Sequence, residues 1–180
     1  LAGIAVGSLF GAGTTLIMRL NHDKMDHIIF WTMGSLSTVG WKQVLWCLPF
    51  CVTGSLAALL FARDLNLLSQ GEETALHLGV NVGRTRMLIM MLTAIATAGA
   101  VSATGVIGFV GLIIPHVSRM IFGPDHRRLV PLSALVGAVF MLIMDTLART
   151  LAAPLEIPVG ILTAMCGGPF FLWLLRRSAL

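Results

Sequence analysis

Three groups of residues in this sequence have types and spacings that could do chemistry. Cys47 and Cys51 stand four apart, so on a helix both thiols share one face. A soft metal or a redox pair would want polar partners nearby, and the flanking positions are apolar. These two and Cys166 therefore read as buried free thiols. His22, Asp23, Asp26 and His27 crowd the polar stretch that follows the first apolar run, but no cysteine or fixed helical spacing makes a metal site of them. Asp145 and Arg149 are four apart, the spacing of an ion pair on one helix face. A proton or ion relay would need more ionisable groups in the membrane interior than this pair.

Other chemistries lack their residues altogether. The only lysines are Lys24 and Lys42, and neither closes a G-x-x-x-x-G-K-[ST] phosphate loop. No H-E-x-x-H and no G-x-S-G occur, and Gly108-Phe109-Val110-Gly111 is flanked by apolar residues, unlike a phosphate cradle. An intramembrane hydrolase has no nucleophile and base to work with. The chain reads as non-catalytic, with no cofactor and no metal, so energy for any work must come from a partner or a gradient.

Composition says where such a chain lives. The 180 residues are 57% hydrophobic and 11% charged, against about a quarter charged in a soluble domain; mean hydropathy is +0.91. This is an all-α, polytopic membrane protein. Its formal charge of +4 reads as membrane topology and not as affinity for nucleic acid, since no basic run interleaved with aromatics appears. The first apolar run has no basic leader or cleavage site of small residues, and an upstream half is expected.

About five full spans are expected: 1–18, 43–62 with a kink at Pro49, 87–104, 129–149, and 159–175 interrupted at Gly167-Gly168-Pro169. Gly3, Gly7 and Gly11 form a smooth stripe on the first, suited to close helix packing or to a pore-facing partner. A short helix over 27–36 cannot span and lies at the surface or re-enters. Residues 65–83 read as a short amphipathic helix pair outside the bilayer, opened by Ser69 and Glu72 at capping-box spacing and stopped at Gly79.

The stretch GVIGFVGLIIPHVSRMIFGPDHRR (105–128) organises the rest. Gly105, Gly108 and Gly111 each cost a helix about 0.8–1.0 kcal/mol relative to alanine. The helix that follows, 109–122, reaches only about 21 Å, short of a hydrocarbon core of about 30 Å. If it ends at the surface near Arg127 and Arg128, its glycine-rich start hangs within the bilayer. Backbone there must be buried in protein or line a watery cavity. That marks a pore or transporter.

Arginine and lysine bias sets the sidedness. If the broken element crosses, Arg63, Arg84, Arg86, Arg119, Arg127, Arg128, Arg176 and Arg177 are cytoplasmic, and Arg19, Lys24, Lys42 and Arg149 lie outside. If it returns on itself, the balance reverses, so crossing is preferred. The 65–83 pair and the C-terminus are then cytoplasmic, and Arg149 with Glu156 is external.

The motifs GFVGLIIPHVSRMIFGPDHRRLVPLSALVGA (108–138), DTLAR (145–149) and LEIPVGILTA with GGPFFLWLLRR (155–177) strongly resemble FecCD-type permeases. So do LAGIAVGSLF (1–10), FWTMGSLS (30–37) and LNLLSQGEETALHLGVNV (65–82). These permeases are membrane subunits of ABC importers for iron siderophores, haem, vitamin B12 and, in some members, molybdate. The resemblance implies the C-terminal half of a single permease domain, occupying 1–180, from about its fifth span onward. It implies a second permease subunit, a dimer of cytoplasmic ATP-binding subunits and an extracytoplasmic substrate-binding protein in a bacterial inner membrane. Gly71, Glu72, Glu73, Leu78 and Gly79 match the coupling helices that sit in the ATPase. Arg149, with Glu156 beside it, matches the binding-protein docking face. The first span and the short helix after it match elements that line and gate the pathway. Gly105, Gly108, Gly111, Pro115 and His116 fall in the broken element, where Val106 replaces the family's usual proline. A gradient-driven secondary transporter is the competing reading, since it too uses broken helices.

Overall fold

The computed structural model describes residues 2–20, 25–37 and 39–178. Described residues are helical or irregular, with no strand among them. In chain order the helices are α1 (Ala2–Leu20), α2 (Met25–Met33), α3 (Trp41–Leu60), α4 (Ala62–Leu68), α5 (Glu72–His77), α6 (Val82–Thr104), α7 (Val110–Phe122), α8 (His126–Thr150) and α9 (Val159–Ser178). Five described helices, α1, α3, α6, α8 and α9, are long and apolar enough to cross a membrane, and α7 is apolar but short. The all-α polytopic expectation holds. His22 and Asp23 lie outside the described residues, as do the side chains of Asp26 and His27.

Glycine decides how closely the spans approach. In the antiparallel α3–α6 pair, the most extensive helix contact, a methyl at Gly99 would sit 2.6 Å from the Phe50 Cβ, and one at Gly54 would strike Ala96. Lipid tails give apolar helices no hydrophobic reason to associate, so notches of this kind, with the dispersion contacts they allow, hold such a pair together. The α7–α8 pair follows the same rule, with Gly137 receiving Ile114. Its antiparallel register puts Ser118 and Ser133 at one level, and neither hydroxyl has a partner among the described residues.

Several boundaries differ from the expectation. Helix α9 runs unbroken through Gly167, Gly168 and Pro169. Gly167 is a notch for the Phe109 side chain and not a break. Helix α6 starts a turn early because Asn81 caps it, its side chain accepting from the Arg84 N–H at 3.1 Å. Ser69 does not open α5: its hydroxyl donates to the Asn66 carbonyl at 2.7 Å and closes α4, and Gly71 at φ +120° precedes α5 instead. Cys51 and Cys166 are exposed and Cys47 is half-buried, because no described helix covers the faces they occupy; Cys47 and Cys51 stand 3.4 Å apart, sulfur to sulfur. Around Gly3, Gly7 and Gly11 there is open space, so the α1 stripe packs against nothing in the described chain.

Candidate functional site

The broken element is real, and its break is a crossing of three backbones. Helix α6 ends at Gly105 (φ +72°, ψ −169°), and α7 begins after Phe109, which holds the left-handed conformation at φ +65°. Helix α7 has thirteen residues, about 20 Å of rise. Between the two helices, the Val106 N–H donates to the Trp31 carbonyl at 3.2 Å, and the Ser35 N–H donates to the Thr104 carbonyl at 2.9 Å. The Gly160 N–H, at the start of α9, donates to the Gly34 carbonyl at 3.2 Å. A methyl at Gly105 would overlap the Trp31 carbonyl oxygen, one at Gly34 would meet the Val106 oxygen at 2.5 Å, and one at Gly160 would overlap the Met33 oxygen. The irregular backbone at Gly34, Ser35 and Val106 is thus satisfied by neighbouring chain. Ile107 packs with Met144, Ala148 and Val159. Met144 is six residues, or about 9 Å, short of the end of α8 at Thr150, which places the break inside the span.

Of the three glycines singled out in sequence, only Gly105 is required by backbone conformation and contact; Gly108 and Gly111 face open space. Gly34 and Gly160 do as much as Gly105, and sequence reasoning gave them no role in the break. The signal was present in M-G-S and P-V-G, each a glycine at a helix end. Pro115 lies inside α7. His116 packs edge-on against Phe170 of α9, with ring centroids 5.9 Å apart. A largely apolar cavity of about 650 Å³ borders the break, lined by Leu36, Cys51, Gly54, Thr97, Gly105 and Ile107 among others.

The α4–α5 pair is a small folded unit with its own core. Ala75, Val80 and Val82 are buried together, with Leu67 and Leu68 packed on them. Gly71 (φ +120°) and Gly79 (φ +83°) make the two turns that fold α5 back. Glu72 is paired with Arg86 of α6. Glu73, Leu76 and Leu78 face outward, the two leucines 58% and 55% exposed. Leu76, which the sequence places on the apolar side of this helix but the family resemblance leaves out of the coupling set, belongs to this outward surface. Glu72 belongs more to the anchorage, through Arg86.

The turn between α7 and α8 reaches the same end of the molecule. Asp125 caps α8, accepting from the Arg127 N–H at 3.0 Å, and the Asn66 amide of α4 donates to the same carboxylate oxygen at 2.7 Å. These two donors, Asn66 first, hold the Asp125 carboxyl below its ordinary 3.8. A depressed carboxylate pKa contributes stability above its unfolded value and loses it as pH falls through the folded one. The difference in Tm between the wild type and Asp125→Ala should therefore be constant near neutrality and close on acidification below the usual carboxylate range. Thermal melts along a pH series check this.

At the far end of α8, Arg149 donates through Nε to Asp145 Oδ2 at 2.9 Å, and its side chain remains 45% exposed. The following turn folds back, its Ile157 N–H donating to the Ala148 carbonyl at 3.3 Å. Glu156 acts electrostatically on the same guanidinium. Arg149 lies one residue short of the end of α8, which starts at His126, so this acid–base cluster stands about 35 Å from the α4–α5 end.

Apolar spans, a half-length helix starting on a backbone crossing, and polar surfaces at opposite ends define a polytopic membrane protein with one incomplete span. The comparisons give the same class. Residues 1–177 match the model of the FecCD transport family, and the chain belongs to that family. It is 47% identical to the hemin transport system permease protein HmuU of Yersinia pestis over 183 residues, covering 99% of this chain and 54% of that protein. Identity is also 47% to the cobalamin import system permease protein BtuC of Halobacterium salinarum, covering 98% of this chain and 47% of the other. A solved structure described as a metal-chelate type ABC transporter in an inward-facing conformation aligns with TM-score 0.87 at 40% identity, over 97% of this chain and 57% of that one. The chain spans about half the length of the curated relatives it matches.

Proposed function

We propose that this chain is the C-terminal part of a permease subunit in a binding-protein-dependent ABC importer. The cargo is a metal chelate of the siderophore, haem or corrinoid kind. ATP is hydrolysed by a separate cytoplasmic subunit, and a second permease copy or relative completes the pathway. The observation that carries the reading is the α4–α5 unit. It has a private core and two glycine turns, and it joins the tightly paired α3 and α6. A unit built that way can be pushed as one body, and its outward Leu76 and Leu78 fit a groove on a soluble partner better than they fit water, with Glu73 beside them to meet a basic group. The arginine bias puts this end in the cytoplasm, so Arg149 and Glu156 face the binding protein. The names of the family relatives support the cargo class. A gradient-driven mechanism fits less well, because Asp145, the acidic side chain within the α8 span, is already paired with Arg149.

The test is recovery of the ATP-binding subunit with the full-length permease from membranes. Glu73→Lys with Leu78→Arg should cut that recovery by about tenfold or more, as expected when about 1.4 kcal/mol of contact is lost, with permease insertion unchanged. Recovery equal to wild type would defeat the reading. Arg149→Glu should leave ATPase recovery intact and weaken binding-protein affinity by about tenfold in a docking titration.

A further inference from the structure

We propose that Asn66 is a positioning residue that transmits movement of the α4–α5 unit to the α7–α8 pair; this rests on the coupling role given to that unit above. Asn66 and its partners are 59 and 60 residues apart in sequence, and three hydrogen bonds join them. Asn66 Nδ2 donates to Asp125 Oδ1 at 2.7 Å. Asn66 Oδ1 accepts from the His126 N–H at 2.9 Å and lies 2.6 Å from His126 Nδ1. Only one amide orientation fits, because the carboxylate needs a donor and the His126 N–H needs an acceptor. With Oδ1 serving as acceptor, Nδ1 carries the imidazole proton. The first N–H groups of any helix lack intrahelical partners. Here Asp125 satisfies the Arg127 N–H from within the turn, while the His126 N–H is satisfied by a side chain of another helix.

That cross-helix cap defines a mechanical path. Leu67 and Leu68, the next two residues of α4, pack on the core that α5 shares, so α4 moves with α5. Asn66 ties α4 to the first residue of α8. Helix α8 packs along α7, and α7 begins at the break after Phe109. A displacement of the α4–α5 unit therefore reaches the break through α8 and α7, beside the direct covalent route through α3 and α6. The arrangement also gives a role to Asp125 and His126 of the GPDHRR segment, to which the sequence reading assigned none.

The experiment uses the whole transporter in proteoliposomes, with full-length permease, ATP-binding subunits and binding protein, and reads cargo transported per ATP hydrolysed. Asn66→Asp sets a second carboxylate against Asp125. It should lower that ratio by about tenfold, within the usual range of coupling between sites, while the ATP-binding subunit is still recovered. Adding Asp125→Asn rebuilds the contact with donor and acceptor exchanged: the amide introduced at position 125 can donate to the carboxylate introduced at position 66, while its oxygen still caps the Arg127 N–H. The double variant should return to within about threefold of wild type. Asn66→Ala removes the bridge without adding charge and should also lower the ratio; it supplies the reading should Asn66→Asp fail to accumulate. A wild-type ratio in Asn66→Asp or Asn66→Ala, a lowered ratio that Asp125→Asn does not repair, or a fall in Tm at constant ratio would each overturn the proposal. If the wild-type permease recovers no ATP-binding subunit, the reading of the α4–α5 unit fails first. If it does and the ratio is unmoved, only the role of Asn66 falls.

Discussion

Gly105→Ala is expected to lower the stability of the detergent-solubilised full-length permease by about 2–6 kcal/mol, as two independent costs fall on one methyl group. The first is conformational: at φ +72° and ψ −169° the residue occupies a region open essentially to glycine alone, and strain there costs about 1–3 kcal/mol. The second is steric. The new Cβ overlaps the Trp31 carbonyl oxygen and comes within 3.2 Å of the Gly34 Cα. Both are backbone atoms with no rotamer to yield, and overpacking of this kind costs about 1–3 kcal/mol. Relief would pull the 104–107 segment off α2 and expose the Val106 N–H that Trp31 now satisfies. Gly108→Ala is the control: it meets open space and should leave Tm within a few degrees of wild type. A thermal melt in which the two variants coincide would remove the backbone crossing as the structural centre of the chain.

A second large effect is expected three helices away in sequence. Gly160 lies in the first turn of α9 with ordinary helical backbone, so propensity alone would favour alanine by about 0.8–1.0 kcal/mol. The added methyl, however, overlaps the Met33 carbonyl oxygen and stands 3.3 Å from that of Val106. Sterics should win: overpacking at the upper end of about 1–3 kcal/mol, less that propensity gain, leaves a net loss of about 2 kcal/mol, since the obstacle is again backbone and the site is buried. Gly168→Ala, one face over on the same helix with nothing within 4 Å, should be neutral or gain up to about 1 kcal/mol. Opposite signs at two glycines of one helix are a signature that general intolerance of α9 to substitution does not produce. Equal losses in the two melts would point to that general intolerance instead.

These two glycines also show how far the sequence could be read. Span number, the half-length α7 and the folded pair before α6 were legible, because each depends on local quantities: runs of apolar residues, helix rise against bilayer thickness, and glycines beside charged turns. Arg149 and Asp145 were legible as a pair because i, i+4 spacing fixes proximity on any helix. Gly167 was misread as a break, and Ser69 as the opening of α5. A glycine within an apolar run looks alike whether it interrupts a helix or admits a ring from elsewhere, and a serine near a helix junction serves either side.

By itself, then, the sequence determined that this is an all-helical membrane chain with one span left incomplete, since burial of backbone polar groups in lipid permits little else. Only the tertiary structure decided which backbones meet at the break, that Phe109 seats against Gly167, and that Asn66 reaches Asp125 and His126 across some sixty residues. Those are contacts between segments far apart in the chain. Their energies depend on interhelical distance and register, which no local pattern of residues encodes.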